Sequence, residues 1–304
     1  MRPAPDYIQF YPTTRCNLSC GFCFNQQAPE MRDMSFEAFK ALADRMKQLG
    51  IRTLDILGGE PTLHQDLMRM LGYGLEQGLA MNISSNGSDI SFLSDIMVKY
   101  PRVAVGVSVN DRKNAERMNR FIRNTRPVVK TVLGNLLDRE LIETLLACKP
   151  REFYLIYQDA MERKQLGQTV PFDAFLRTVR SRFDPGQVGM VYCSGFLPDH
   201  EQYPELIRAR CPAGTTKLAV LPDGSVYPCN LLFGREEYRL GNFLTDPFEE
   251  IWQHPLLTWF RAFMGNKCPR TDCELFRSCH GGCPAHSIAH YGKRSAPEPR
   301  CVRP

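Results

Sequence analysis

The cysteines constrain this chain more than any other feature. There are 12 of them in 304 residues, five before residue 211 and seven from Cys211 onward. A chain of this length can bury a full hydrophobic core without disulfides, so dense thiols indicate metal or redox chemistry in a reducing compartment. The uneven distribution predicts two domains, over residues 1–205 and 206–304.

Composition narrows the possible functions. Hydrophobic residues make up 43% of the chain and charged residues 23%, which is typical of a globular protein. No run of about 18 apolar residues occurs and the first residues lack a signal-peptide layout, so we expect a cytoplasmic protein without a membrane span. The net charge is only +5, and the basic stretch 112–126 contains one aromatic residue, which disfavours nucleic acid as a partner.

Short apolar runs alternate with helical patterns before residue 193. Predicted strands lie at Tyr7–Tyr11, Thr53–Leu57, Ala80–Ser84, Val103–Val109, Val128–Leu133, Phe153–Tyr157 and Val188–Tyr192. Predicted helices lie at Phe36–Leu49, Gln65–Gln77, Ser91–Tyr100, Asn114–Asn124, Arg139–Cys148 and Phe172–Phe183. This alternation predicts an α/β fold with a parallel sheet, in the form of a partial (β/α)6 TIM-like barrel.

The pattern changes after Cys211. Residues 217–227 predict a β-hairpin with its turn at Asp223-Gly224. Residues 247–264 predict one amphipathic helix interrupted at Pro255. The segment 268–304 is rich in Cys, Pro and Gly, so we expect irregular loops that depend on bound metal for their order.

Three cysteines, Cys16, Cys20 and Cys23, lie within eight residues directly after the first predicted strand. In a barrel, the loop after a strand is where ligands bind. Iron–sulfur clusters are usually held by four cysteines, so three close thiolates would leave one iron open to a substrate or cofactor. The alternative is a zinc site completed by a distant Cys or His.

The CxxxCxxC spacing, with the aromatic residue Phe22 before the last cysteine, resembles the radical S-adenosylmethionine (SAM) superfamily. The resemblance implies that Cys16, Cys20 and Cys23 hold a [4Fe–4S] cluster whose open iron binds SAM. It also implies that one electron cleaves SAM to methionine and a 5′-deoxyadenosyl radical, which abstracts a hydrogen atom from a substrate. The cofactor supplies this chemistry, while the protein orients it and excludes water.

Further family positions follow the next predicted strands. Gly58-Gly59-Glu60-Pro61 resembles the loop that grips the SAM amino group, because glycines admit close backbone approach and a carboxylate accepts from an ammonium. The resemblance also assigns SAM contacts to Phe22, Ser84, Asn86, Ser108, Asn110 and Arg120. Ordinary turn chemistry is the alternative for the strand-end residues. Arg120 shares its assignment with Arg117, and a solvated basic helix face is the alternative for both.

The seven C-terminal cysteines resemble the SPASM extension of peptide-modifying radical SAM enzymes. Most of the family spacing is present, but four residues instead of two separate Cys268 and Cys273. The resemblance implies two auxiliary [4Fe–4S] clusters, with cluster I on Cys211, Cys229 and Cys283 and cluster II on Cys268, Cys273, Cys279 and Cys301. A zinc ribbon is the alternative, and the fourth position of cluster I is either Cys193 or open.

Several nearby residues are not expected to bind metal. Cys148 lies on an apolar helix and is predicted to be buried packing. His280, His286 and His290 are predicted to be surface or packing residues. Asn230 occupies the position where sulfatase-maturing relatives carry an aspartate base, and an amide cannot take a proton at neutral pH. The catalytic acid or base therefore stays unidentified.

The resemblance implies an enzyme that oxidises a peptide or protein side chain or forms a C–S or C–C bond on it. Alternatives are a cofactor-biosynthesis enzyme acting on a small molecule or tetrapyrrole, and a non-catalytic iron–sulfur scaffold or electron carrier. We expect a flavodoxin- or ferredoxin-type electron donor. Because the first strand begins by Tyr7, we expect no leader-recognition domain here, so a leader-dependent substrate would need a separate binding protein.

Overall fold

The structure is a computed structural model that describes residues 4–192, 211–273, 275, 279, 281–302 and 304. The chain divides into two compact units. Unit 1 comprises residues 1–19, 25–108 and 195–262, and unit 2 comprises residues 20–24, 109–194 and 263–304. Each unit thus takes segments from both predicted domains, and the predicted boundary between residues 205 and 206 lies outside the described residues.

Strands and helices alternate through the first part of the chain. The strands are β1 (Tyr7–Phe10), β2 (Thr53–Ile56), β3 (Ala80–Ser85), β4 (Ala104–Ser108), β5 (Val128–Leu133), β6 (Glu152–Tyr157), β7 (Gly189–Val191), β8 (Lys217–Val220), β9 (Ser225–Tyr227) and β10 (Gly241–Asn242). The helices are α1 (Phe36–Leu49), α2 (Leu67–Glu76), α3 (Ile90–Lys99), α4 (Arg112–Thr125), α5 (Arg139–Ala147), α6 (Arg163–Leu166), α7 (Phe172–Arg182), α8 (Phe248–Trp252), α9 (Pro255–Arg261) and α10 (Pro284–Tyr291). The predicted α/β class and the β–α alternation are confirmed.

In unit 1 the strand order is β10-β9-β8-β1-β2-β3-β4. Strands β8, β1, β2, β3 and β4 are parallel. Strands β8 and β9 form the predicted antiparallel hairpin, and β10 adds antiparallel to β9. Its helices are positioned by local signals: Ser35 accepts a hydrogen bond from the Ala38 amide at 3.2 Å to begin α1, and Gly50, with φ of 73°, ends it.

The two faces of this sheet differ in polarity. Phe10 faces the helices, with its ring centroid 5.7 Å from that of Phe39 on α1. The neighbouring residues of the opposite face are polar: Gln9 is in register with Asp55, and Asp55 with Asn82. Successive side chains of a strand point to opposite faces, so this polar row lies on the face away from the helices.

In unit 2 the strands β5, β6 and β7 are parallel and in that order. Its core includes Leu155 and Phe175, which are fully buried. Helix α4 is amphipathic, with Ala115, Met118, Phe121 and Ile122 buried, so the basic residues of 112–126 occupy its exposed side.

Two helical predictions need correction. Residues 247–264 form two helices, because Pro255 is the first residue of α9 and His254 caps it by accepting from the Leu256 amide at 3.2 Å. Segment 268–304, expected to be irregular, contains α10, whose residues Ala285 and Ile288 are buried. Among the described residues, no helix has the length and apolar character needed to cross a membrane.

Candidate iron–sulfur and cofactor sites

The CxxxCxxC loop leaves β1 and passes from unit 1 to unit 2 between Ser19 and Cys20. Cys16 is exposed, and Cys20 and Cys23 are partly exposed. The Cys23 amide donates to the Cys20 carbonyl at 3.0 Å and closes a tight turn. Three accessible thiols at this spacing fit the donor set of a cluster that retains an open iron.

The loop after β2 packs directly on the chain that leads to Cys16. The Gly59 amide donates to the Thr13 carbonyl at 3.1 Å, and the Glu60 amide donates to the Arg15 carbonyl at 2.7 Å. A Cβ atom at Gly59 would lie 2.0 Å from the Arg15 carbonyl oxygen, and one at Gly58 would lie 2.6 Å from that of Thr13. The glycines are therefore required for the approach of two protein backbones, whatever ligand binds beside them.

Glu60 is fully buried, and protein groups surround its carboxylate. One oxygen accepts from the Thr62 amide at 3.1 Å, the Thr62 hydroxyl at 2.7 Å and the Ser85 hydroxyl at 2.8 Å. The other oxygen accepts from the Asn86 amide at 2.7 Å. Glu60 thus ties the end of β2 to the end of β3, and its predicted contact with SAM stays a prediction.

Asn86 connects the end of β3 to the first cysteine. Its side-chain amide donates to the Asn17 carbonyl oxygen at 2.9 Å and lies 3.9 Å from the Cys16 sulfur. Amide donors near cluster sulfurs are among the groups that tune a cluster's potential. Sequence reasoning assigned Asn86 to SAM and did not anticipate this contact with the cysteine loop.

The remaining SAM-contact predictions fall at varied positions. Phe22, Ser84 and Ser108 are partly exposed. The Asn110 side-chain oxygen accepts a hydrogen bond from the Val132 amide at 2.8 Å, so this oxygen already has a partner within unit 2. Arg120 is exposed on α4. These assignments stay predictions.

A buried polar chain, which sequence reasoning missed, joins Asn230 to the glycine loop. The Asn230 side chain donates to the Tyr11 hydroxyl at 3.2 Å, and that hydroxyl donates to the Asn25 side-chain oxygen at 2.7 Å. The Asn25 amide donates to the Gly58 carbonyl at 2.9 Å. Tyr11 and Asn230 are almost completely buried. The one available signal was the place of Tyr11 just after β1, where barrel ligands bind.

The structure brings the four predicted ligands of cluster II together in unit 2. Cys268, Cys273, Cys279 and Cys301 line one cavity, together with Phe172, Asp173, Arg270, Leu275, Gly281 and Glu298. Four cysteine thiolates are the usual ligand set of a [4Fe–4S] cluster. No three His, Cys, Asp or Glu side chains of the described residues converge on a point as ligands of a single metal ion would. The four cysteines in this cavity fit the ligand set of a [4Fe–4S] cluster.

The surroundings of this cavity raise the pKa of two of its thiols. Burial raises the pKa of Cys301 to about 11 and also raises the pKa of Cys279. Both are therefore protonated at neutral pH without iron, and iron binding must release their protons. The Phe172 amide donates to the Cys301 sulfur at 3.2 Å, and Arg270 forms two hydrogen bonds with Asp173 at 3.1 and 3.2 Å beside the cavity.

A buried ion pair supports the same region. Arg300 donates to both carboxylate oxygens of Glu298, at 2.8 and 3.0 Å, and Glu298 accepts from the Cys283 amide at 2.9 Å. Burial alone would raise the pKa of Glu298, but the Arg300 guanidinium outweighs it and lowers the pKa below its usual value. The pair thereby holds the backbone at Cys283 and the residue directly before Cys301, two predicted ligands.

The other cysteine and histidine predictions can be placed as follows. Cys148 is buried, as predicted. His286 is fully buried and accepts from the Ala160 amide at 3.0 Å, and the His290 ring lies 2.7 Å from the Ala160 carbonyl, so both are packing residues. Of the cysteines predicted for cluster I, Cys211 and Cys229 belong to unit 1 and Cys283 to unit 2, and this assignment stays a prediction. His280 and Cys193 lie outside the described residues.

Two families match this chain. Residues 10–146 match the radical SAM superfamily, and residues 211–284 match SPASM, an iron–sulfur cluster-binding domain. The two matches account for [4Fe–4S] clusters and SAM as the cofactors, and they cover the CxxxCxxC loop and six of the seven C-terminal cysteines.

Three curated relatives extend along most of the chain. The antilisterial bacteriocin subtilosin biosynthesis protein AlbA of Bacillus subtilis is 25% identical over 92% of this chain and 67% of its own length. The tungsten-containing aldehyde ferredoxin oxidoreductase cofactor-modifying protein of Pyrococcus furiosus is 26% identical over 90% and 88%. A PqqA peptide cyclase of a Methylobacterium species is 22% identical over 98% and 86%.

Among solved structures, Streptococcus suis SuiB bound to S-adenosylmethionine covers 99% of this chain and 78% of its own, with a TM-score of 0.78 and 20% identity. SuiB bound to its precursor peptide SuiA gives a TM-score of 0.73 at 20% identity, over 99% and 76% of the two chains. At this identity the likeness shows a shared fold.

Proposed function

Because the chain belongs to the radical SAM superfamily and carries a SPASM domain, we propose that it reductively cleaves SAM and abstracts a hydrogen atom from a peptide or protein side chain. The observation that supports this most is the cavity shared by Cys268, Cys273, Cys279 and Cys301. These are the four cysteines that the resemblance to SPASM predicts for cluster II, despite the longer spacing after Cys268.

We infer the role of each element from its position. Cys16, Cys20 and Cys23 would hold the cluster that binds SAM, and that cluster supplies the electron that breaks a C–S bond of SAM. The Gly58–Glu60 loop would receive the SAM amino group. The polar row Gln9, Asp55 and Asn82 would offer hydrogen-bond partners to a polar substrate.

A peptide substrate is supported by three relatives. Subtilosin is described as a bacteriocin, PqqA is described as a peptide, and SuiB was solved with a precursor peptide. The cofactor-modifying protein of Pyrococcus furiosus, at similar identity, supports the second candidate, which is modification of a small-molecule cofactor. For a leader-dependent peptide, we propose a separate leader-binding protein, and for reduction a flavodoxin- or ferredoxin-type donor.

Asn230 limits the type of reaction. It is buried beside Cys229 and hydrogen-bonded to Tyr11, so an amide stands where a carboxylate base would be needed for formylglycine-type oxidation. We therefore propose bond formation or an oxidation in which another group takes the proton.

The proposal is tested by reductive cleavage of SAM. Anaerobically reconstituted protein with dithionite should release 5′-deoxyadenosine, and Cys20→Ala should abolish this while the auxiliary iron stays bound. A matched Cys148→Ala variant should cleave SAM like the wild type. Iron-loaded wild type that releases no 5′-deoxyadenosine would favour the scaffold function and contradict the proposal.

A second measurement separates the two substrate classes. Deuterium transfer from a labelled candidate peptide into 5′-deoxyadenosine would identify the peptide as the hydrogen donor. Transfer from a small molecule alone would support the cofactor-modifying alternative.

A further inference from the structure

The side chain of Gln165 uses its whole hydrogen-bonding capacity. This residue of α6 is fully buried. Its amide nitrogen donates to the carbonyls of Gly21 at 3.1 Å and Cys23 at 3.0 Å. Its oxygen accepts from the backbone amides of Met161 at 2.9 Å and Glu162 at 3.1 Å. All five residues belong to unit 2.

The chemistry of the four partners fixes the orientation of the Gln165 amide. Two backbone N–H groups lie on one side and two carbonyls on the other, so only one placement of oxygen and nitrogen pairs every group. The acceptor half closes the capping box that begins α6. The donor half serves no helix and is directed at the cysteine loop.

The donor half acts on the turn that carries Cys20 and Cys23. The Cys23 amide donates to the Cys20 carbonyl and closes this turn. The carbonyls of Gly21 and Cys23 lie on either side of Phe22. One planar amide group that holds both carbonyls restricts the Gly21–Phe22 and Cys23–Phe24 peptide planes. The hydrogen bond from the Cys23 amide to the Cys20 carbonyl extends this restraint to Cys20.

We propose that Gln165 is a positioning residue for the Cys20–Cys23 half of the SAM-binding cluster site. Its two donated hydrogen bonds set the turn before iron binds, so that both sulfurs are held in the geometry that the cluster needs. The role follows from the four hydrogen bonds of Gln165, and only its spectroscopic consequence rests on the proposed function.

The experiment compares Gln165→Glu with Gln165→Met. Glutamate keeps the acceptor oxygen for Met161 and Glu162 but sets a carboxylate oxygen against two carbonyls. Methionine is similar in length and removes both halves. In the iron-free chain, hydrogen–deuterium exchange of the Cys23 amide should become about 10- to 100-fold faster in both variants.

The reconstituted protein provides the second readout. In both variants, the electron paramagnetic resonance signal of the SAM-binding cluster should lose its response to added SAM or fall below about half intensity, while the cluster II signal is retained. Gln187→Glu is the matched control, since Gln187 is an exposed glutamine of unit 2, and it should behave like the wild type.

The outcomes separate the inference from the function. The proposal would be overturned if both variants kept the wild-type exchange rate at the Cys23 amide and the wild-type response to SAM. It would also be overturned if both variants lost all clusters equally, because that result would indicate general instability. A wild type that lacks any SAM-responsive signal would refute the proposed function, whereas the exchange measurement would still decide the role of Gln165.

Discussion

Gly59→Ala is the sharpest test of how the cofactor loop is built. The new Cβ would lie 2.0 Å from the Arg15 carbonyl oxygen. Non-bonded atoms prefer about 3.5 Å or more, so the two backbones must separate by more than about 1 Å. This separation would break the 2.7 Å hydrogen bond from the Glu60 amide to Arg15, directly before Cys16.

The separation should lower both the stability of the protein and the rate of SAM cleavage. Overpacking of this kind costs about 1–3 kcal/mol, and the lost hydrogen bond adds about 1 kcal/mol. A displacement of about 1 Å in a reacting constellation lowers rates by about 100-fold. We therefore expect urea unfolding to report a loss of about 2–4 kcal/mol, and dithionite-driven release of 5′-deoxyadenosine to fall about 100-fold.

The control is Gly167→Ala. Gly167 has φ of −64°, and a Cβ there would meet no atom closer than 3.8 Å. Replacement of glycine by alanine at a compatible position stabilises by about 0.4–1 kcal/mol, so this variant should unfold no earlier than the wild type. If Gly59→Ala cleaves SAM at the wild-type rate, the loops do not depend on close backbone approach and the reasoning is wrong.

Three further predictions concern single side chains. Cys301→Ala should lower bound iron from about 12 to about 8 atoms per chain, because one of three four-iron clusters would be lost. SAM cleavage should continue. Iron analysis that finds no decrease would remove Cys301 from the ligand set. Glu60→Gln places an amide donor among the four donors around this buried carboxylate, so the free energy of unfolding should fall by about 1–3 kcal/mol. Calorimetry should also show weaker SAM binding. Wild-type values for both quantities would contradict the network. Tyr11→Phe leaves the buried Asn230 and the partly buried Asn25 without their shared hydroxyl, so urea unfolding should report a loss of about 2 kcal/mol or more. An unchanged midpoint would show that water replaces the hydroxyl.

The sequence predicted the parts of this protein that depend on local pattern. Strand–helix alternation is visible because buried strands and amphipathic helices have different periods. The four cysteines that the resemblance assigned to cluster II line one cavity, and their ligand role stays a prediction. Helix α10 was missed because its eight residues carry few large apolar side chains, and α8 and α9 were merged because Pro255 fits the first turn of a helix as well as a break.

Contacts between distant segments had no such signal. Gln165 meets Cys23 across 142 residues of sequence, and Asn230 meets Tyr11 across 219 residues. The pattern Glu162-x-x-Gln165 is typical of a helix start, and the sequence offered no further reason to connect it with a cysteine loop. Polar partners of this kind depend on tertiary packing, which periodicity and spacing do not encode.

The cysteine loop is anchored at two places, one in each of the units between which its residues are divided. The segment before Cys16 is held within unit 1 by the backbone of Gly59 and Glu60. The turn at Cys20–Cys23 is held within unit 2 by Gln165. A defect in one anchor leaves the other intact, so Gly59→Ala should not accelerate exchange at the Cys23 amide, and Gln165→Met should not weaken the contact between Glu60 and Arg15. Exchange measured on both variants would therefore show two separable effects, and a shared effect on both segments would mean that the loop is positioned as one element.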